Sequence, residues 1–123
     1  MSVAVDLEAL GQRIVEFGPA AFLVTVGDGG APHVVSVQVT TDGARLATRV
    51  GRHTSANLLA RPSLTLLWPA RPGGAYSLLV DGSAEGPIEP DGGSLWVCPT
   101  RAVLHRVADA AGAGPTCLPI DPD

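Results

Sequence analysis

The sequence predicts a mainly β protein, six antiparallel strands curled into a small closed or half-closed barrel with short helices beside it. Three observations carry this expectation. Runs rich in Val, Leu and Thr recur between Asp/Gly turns from Ala21 to Val107. Glycine and proline are frequent, 15 and 11 of 123 residues, yet 46 % of the chain is hydrophobic, the profile of a compact, turn-rich protein. Only Asp6–Phe17 carries a sustained helical period. Closure of the sheet follows as the way to avoid exposed strand edges.

The elements follow in order. In Asp6–Phe17, Leu7, Leu10, Ile14 and Phe17 fall on one helical face. Asp6 is a good N-cap, and Gly18-Pro19 stops the helix. Ala21–Val26 is the first strand, Gly27–Gly30 turns the chain, and Pro32–Thr40 returns as the second. There Val35, Val37 and Val39 share one face, while Ser36, Gln38 and Thr40 share the other. Thr41-Asp42-Gly43 is a tight turn into the third strand, Arg45–Val50, completing a meander. A short helix runs from Ser55 towards Ala60 and ends before Pro62. Leu64–Trp68 reads as a fourth strand, apolar on both faces. Tyr76–Glu85 is the fifth, with a bulge or close backbone approach at Gly82. Leu95–Val107 is the sixth, bent at Pro99. One domain spans 1–108, with its helix at 6–17 and its barrel at 21–107; 109–123 form a loosely packed tail.

Composition excludes several functions. The net charge is −4 and the pI about 5.2, and no basic stripe exists to neutralise nucleic-acid phosphates in series. No apolar run reaches the ~20 residues of a membrane span, and no basic-then-apolar leader opens the chain. Cys98 and Cys117 make neither a disulfide framework nor a zinc motif. These features point to a reducing cytoplasm.

One stretch invites a ligand: Gly51-Arg52-His53-Thr54-Ser55-Ala56-Asn57-Leu58. Gly51 permits a backbone conformation that costs other residues energy. Arg52 and His53 bring cationic or proton-donating groups to the start of a helix, whose free N–H groups and dipole favour an anion such as phosphate. In the plainer reading, Thr54 or Ser55 caps the helix.

With these elements placed, the chain resembles the split-barrel flavin-binding proteins related to pyridoxamine 5′-phosphate oxidase. Ala21–Val37, Asp42–Trp68 and Tyr76–Glu85 carry the resemblance by their order and spacing, and Pro99–Arg106 is similar to the last strand of small actinobacterial-type members. The resemblance implies an FMN-binding split barrel, a homodimer with two cofactor sites between its subunits. It places Val35, Ser36 and Val37 beside the flavin ring and Thr48 near the phosphate region. It puts Arg52, His53 and Thr54 in the phosphate cluster, with Asn57 beside them, and Ser77 near the ring. Two departures separate this chain from the true oxidase. Val35 and Thr54 stand where the family has an Arg and a Lys, a loss that Arg49 or Arg52 would have to offset. The C-terminal region completing the oxidase substrate site is also missing.

The remaining residues are weaker candidates. His33, His53 and His105 lie far apart in sequence with no ligand spacing, so no metal site is expected, and His33 is read as solvated. Arg101 and His105 share a strand face and could meet an acid or a ligand. Cys98, mid-strand, reads as inert. Trp68 and Trp96 read as core or interface anchors, and Asp81 and Glu85 as solvated acids. No catalytic acid or base is identifiable. The functional expectation is a flavin-dependent oxidoreductase using FMN or F420 on an unidentified small molecule. The alternatives are a flavin-free split-barrel dimer serving as a binding or structural module, or a binder of haem or another planar ligand.

Overall fold

The computed structural model describes residues 2–106; the expected tail at 109–123, with Cys117, lies outside them. The elements are β1 (Ser2–Val5), α1 (Leu10–Phe17), β2 (Ala20–Val26), β3 (Pro32–Gln38), β4 (Thr40–Asp42), β5 (Arg45–Val50), α2 (Arg52–Ala60), β6 (Ser63–Trp68), β7 (Tyr76–Glu85) and β8 (Gly93–Arg106). All strand pairs are antiparallel, in the order β3-β2-β6-β7-β8-β5-β4, with β1 also on β8.

Eight strands therefore replace the expected six. The expected second strand is broken at Val39 into β3 and β4, because its two halves pair with different neighbours, β2 and β5. β1 is an added strand of four residues with almost no buried face, so no hydrophobic alternation announces it. It forms because β8, 14 residues long, carries β5 along Gly93–Val97 and β1 along Ala102–His105. The two ends of the sheet, β3 and β4, are separated only by Val39. The sheet thus curls round until one stretch of chain forms both its ends, a half-barrel with its core inside.

That core takes alternate residues from the longer strands, including Leu23, Leu66, Leu78, Val80 and Val97, all fully buried. Leu10 and Ile14 of α1 close one side. Asp6 accepts a hydrogen bond from the Glu8 amide, capping a 3-10 turn over Leu7–Ala9 that leads into α1. Trp68 is a core residue, as expected, and its indole N–H donates to the Gly18 carbonyl at 2.9 Å. β6 departs from the expectation of two apolar faces: Leu64, Leu66 and Trp68 are buried, whereas Thr65 and Leu67 are half-exposed outside.

The expected irregularities at Gly82 and Pro99 are one feature. Asp81 pairs with Arg101 but Gly82 pairs with Pro99, so Thr100 is an extra residue opposite them. Its hydroxyl donates to the Asp81 carbonyl at 3.2 Å. A Cβ on Gly82 would stand 2.6 Å from the Cys98 carbonyl oxygen, a distance that backbone cannot easily relieve. Gly82→Ala is expected to destabilise the fold by about 2 kcal/mol, lowering Tm by roughly 10 °C; an unchanged melting curve would show that the two strands can separate at this point.

Candidate cofactor cleft

The cleft arises where one strand changes partner. Up to Gln38 the chain pairs with β2, and from Thr40 with β5. At the corner the Val39 amide makes the last bond in the β2 register, donating to the Pro19 carbonyl at 2.8 Å. Thr48 on β5 crosses the fork, its hydroxyl donating to the Gln38 carbonyl at 2.7 Å. Beyond that bond β3 and β5 part, leaving β3 an edge with no strand against it among the described residues. The space between them is a cleft of about 590 Å³.

Its lips are set by strand register. Ser36 and Gln38 project from the outer face of β3. Arg49 and Ala47 of β5 lie opposite Ser94 and Trp96 of β8. Buried Val37 and Leu95 line its inner side with Thr48. Arg49 donates to the Ser94 hydroxyl at 3.2 Å. The Trp96 ring is covered by the Arg45 guanidinium, 3.8 Å from its centroid, and Arg45 is itself held between Asp42 and Glu85, each at 3.7 Å. All eight basic residues of the chain are arginines. Arg13, Arg45, Arg52, Arg61 and Arg101 each have a carboxylate within 4 Å. Arg49 has none among the described residues, so the cleft holds a cation with uncommitted charge.

The sequence-derived candidates divide accordingly. Ser36, Val37, Thr48 and Arg49 meet in the cleft, although the Thr48 hydroxyl is already spent on Gln38. Val35 lies beside them on the inner face of β3, half-buried. Arg52 and His53 are exposed at the start of α2, with Arg52 3.8 Å from Asp91. Thr54 and Asn57 turn away into the core, 2 % and 4 % exposed. The Asn57 amide donates to the Thr25 hydroxyl at 3.1 Å. Ser77 pairs with His105 at the far end of β8 from Ser94, roughly 35 Å along the strand at about 3.3 Å per residue, so it is no part of this cleft within one chain.

The expectations for the Gly51–Leu58 stretch need three corrections. α2 begins at Arg52 with Gly51 as its N-cap, and no side chain caps it. Thr54 and Ser55 are not caps because, with Asn57 and Leu58, they form the face that packs inward. Gly51 is extended, φ −88°, so a glycine is not required there. The glycine that matters is Gly92, at φ 95°, where a Cβ would meet the Val50 carbonyl at 2.7 Å; the β7–β8 connection lies that close to the corner.

Other residues also find different surroundings. His33 is half-buried rather than solvated, its ring stacked on His53 with centroids 4.3 Å apart. Trp96 is a cleft wall, which only the β5–β8 register reveals. Asp81 is held by the Thr65 hydroxyl at 2.7 Å and by Arg101 at 3.6 Å, and Glu85 is half-buried beside Arg45. Cys98 is half-buried with a free thiol. No three His, Cys, Asp or Glu side chains converge among the described residues, and none of their helices is long and apolar enough to cross a membrane.

This fold is the split barrel of the pyridoxamine 5′-phosphate oxidase-related proteins. It is similar to a protein related to general stress protein 26, of the pyridoxinephosphate oxidase family, from Clostridium acetobutylicum, with TM-score 0.64, 15 % identity and coverage of 83 % of this chain and 91 % of that one. An F420 reductase matches with TM-score 0.59 and 22 % identity over 69 % of this chain and 90 % of its own. The haem storage protein HutZ from Vibrio cholerae matches with TM-score 0.62 and 14 % identity over 79 % and 94 %. In sequence, uncharacterised proteins of Mycobacterium bovis and Mycobacterium tuberculosis are each 40 % identical over 126 residues, covering 91 % of this chain and 86 % of theirs. The chain belongs to one family with these mycobacterial proteins. No protein-family model matches it.

Two substitutions test the local account. Thr48→Val keeps the side-chain shape but orphans the Gln38 carbonyl, at a cost of about 1 kcal/mol. Faster amide exchange in β4 and β5 should accompany the lower stability, and unchanged exchange would mean the fork is held elsewhere. Ser55→Ala removes a buried hydroxyl with no partner among the described residues, so Tm should hold or rise by a few degrees, where most buried truncations lower it.

Proposed function

We propose that the cleft holds a flavin-type cofactor, FMN or F420, and that the protein is a flavin-dependent oxidoreductase acting on a small molecule as a homodimer. The observation that carries this reading is the pairing of an open strand edge on β3 with the uncommitted cation of Arg49 across the same cleft. A planar heteroaromatic ring with an anionic tail requires both. The backbone N–H and C=O of Ser36, which face the free edge between Val35 and Val37, suit the polar rim of the ring. Arg49 suits the phosphate, since a charge-assisted bond is roughly twice as strong as a neutral one. Trp96, stiffened by Arg45, offers an apolar wall. The F420 reductase among the similar structures favours the same class of ligand.

When bound, such a cofactor would supply the electron transfer, and the chain's part is to bind, orient and exclude water. Among the described residues no carboxylate, histidine or cysteine lines the cleft, so no side chain there is assigned a proton. The same lining argues against haem in this cleft, which offers no axial histidine, despite the likeness to a haem storage protein. The flavin-free alternative rests on Thr54 and Asn57: buried, they leave the phosphate to Arg49 and the exposed Arg52 alone. A true pyridoxamine 5′-phosphate oxidase is not proposed, since Val35 and Thr54 replace two of that family's cations.

Titration of the purified protein with FMN, riboflavin and F420 tests the reading. Saturable FMN binding is expected, and Arg49→Ala should weaken it about tenfold, the equivalent of ~1.4 kcal/mol, while riboflavin, lacking the phosphate, binds both forms alike. Failure of FMN and F420 alike to bind would leave the flavin-free module as the surviving reading.

A further inference from the structure

The two lips of the cleft, β3 and β5, are tied to each other at both ends. At the fork the Thr48 hydroxyl holds the Gln38 carbonyl at 2.7 Å. Five residues back along β3 from Gln38 stands His33, and five residues on from Thr48, at the start of α2, stands His53. Their rings are stacked, with centroids 4.3 Å apart and planes 27° from parallel. The β4–β5 register, continued past the last ladder bond, brings these two residues within one position of each other. The first tie is a neutral hydrogen bond, which no pH near neutrality alters. The second joins two imidazoles, the side chain whose charge changes between pH 8 and pH 5.

With at most one ring charged, the stack is an attractive aromatic contact. With both charged, two like charges stand 4.3 Å apart. Their repulsion is strong where water is partly excluded, and His33 is half-buried. Nothing in the surroundings offsets the second charge. Arg52 beside His53 on α2 and Arg49 at the end of β5 are themselves cations. The Asp28 carboxylate of the β2–β3 turn is engaged by Arg61 at 2.9 Å, and that of Asp91, ahead of β8, by Arg52 at 3.8 Å. The β2 partner of His33 is Thr25, neutral and buried. Among the described residues no carboxylate lies within 4 Å of either ring. We propose that the His33–His53 stack is a proton-operated clasp on the open end of the cleft, closed while at least one ring is neutral and released when both are protonated. Release frees the start of α2 from the start of β3, while the Thr48 bond keeps the other end shut, so the lips part from the fork outwards. The inward face of α2 suits such a movement. It buries Thr54, Ser55 and Asn57 with Leu58 as the one apolar side chain among them, and the Ser55 hydroxyl has no partner to lose among the described residues. Mild acid thereby widens the cleft and speeds exchange of what it holds. This inference concerns the ligand-free chain and stands or falls apart from the flavin reading.

Hydrogen–deuterium exchange of the ligand-free chain at pH 8 and pH 5.5, corrected for the intrinsic pH dependence of exchange, tests the clasp. Protection of the α2 amides is expected to fall at least tenfold at pH 5.5, while β6 and β7 keep theirs. Protection in α2 that does not change with pH would overturn the proposal, as would an equal fall in all three elements, which marks a general loosening in acid. His33→Phe and His53→Phe each keep an aromatic ring and leave a single titratable partner, so either substitution alone should abolish the fall. A variant that keeps the full fall overturns the pairing, because one imidazole would then suffice. Should a Phe variant misfold, His33→Gln and His53→Gln serve instead, with the same expectation. Nuclear Overhauser contacts between the two rings give a second reading. They should be present at pH 8 and lost at pH 5.5, and contacts that persist at pH 5.5 would overturn the release.

Discussion

The backbone around Val39 must serve two neighbours, and most of the molecule follows from how it does so. A single strand cannot keep one partner while the sheet closes around a core, because twist carries its two ends towards different strands. Here the conflict is resolved by changing partner at one residue: β3 stays with β2, the Val39 amide adds a last bond in that register to the Pro19 carbonyl, and β4 goes to β5. The hydroxyl of Thr48 bridges the resulting fork. The cleft is therefore a consequence of closing the sheet, and its free strand edge is the backbone left over when the ladder splits.

The electrostatics of the chain sharpen that site by default. With carboxylates close to five of its eight arginines, most of the positive charge is locally neutralised and structural. Arg61 ties the end of α2 to the β2–β3 turn through the Val26 carbonyl and Asp28, both at 2.9 Å. Arg45 braces Trp96. Such exposed pairs contribute little stability individually, but they remove competing cations from the surface. Of the arginines with no carboxylate within 4 Å among the described residues, Arg49 is the one that lines the cleft, and its hydrogen-bond partner there is a neutral hydroxyl. An anionic ligand would meet an arginine whose charge is not already answered.

How much of this was legible in the sequence varies with the kind of signal. Strand positions and the inward alternation of Val35, Val37 and Val39 could be read directly, since period-two patterning is local. The bulge at Gly82 and the bend at Pro99 were both visible, though not that they oppose each other. The α2 corner misled. Its inward face is polar, Thr54, Ser55 and Asn57 beside Leu58, so hydrophobic periodicity gave no warning that these groups serve the core. Ser94 carried no local mark, Trp96 read only as a core or interface anchor, and both enter the cleft through pairing with β5.

The amino-acid sequence by itself determined the class of the fold, the six principal β segments and the residues on the outer face of the second one, because turn chemistry and side-chain alternation act within a few residues. Only the tertiary structure decided where that strand breaks, that the arginine of the cleft is one without an acid beside it, and which hydroxyls are buried. Those outcomes depend on register between segments distant in sequence, Arg49 against Ser94 or Asn57 against Thr25. Register is set by the closure of the whole sheet, which no single stretch of the chain contains.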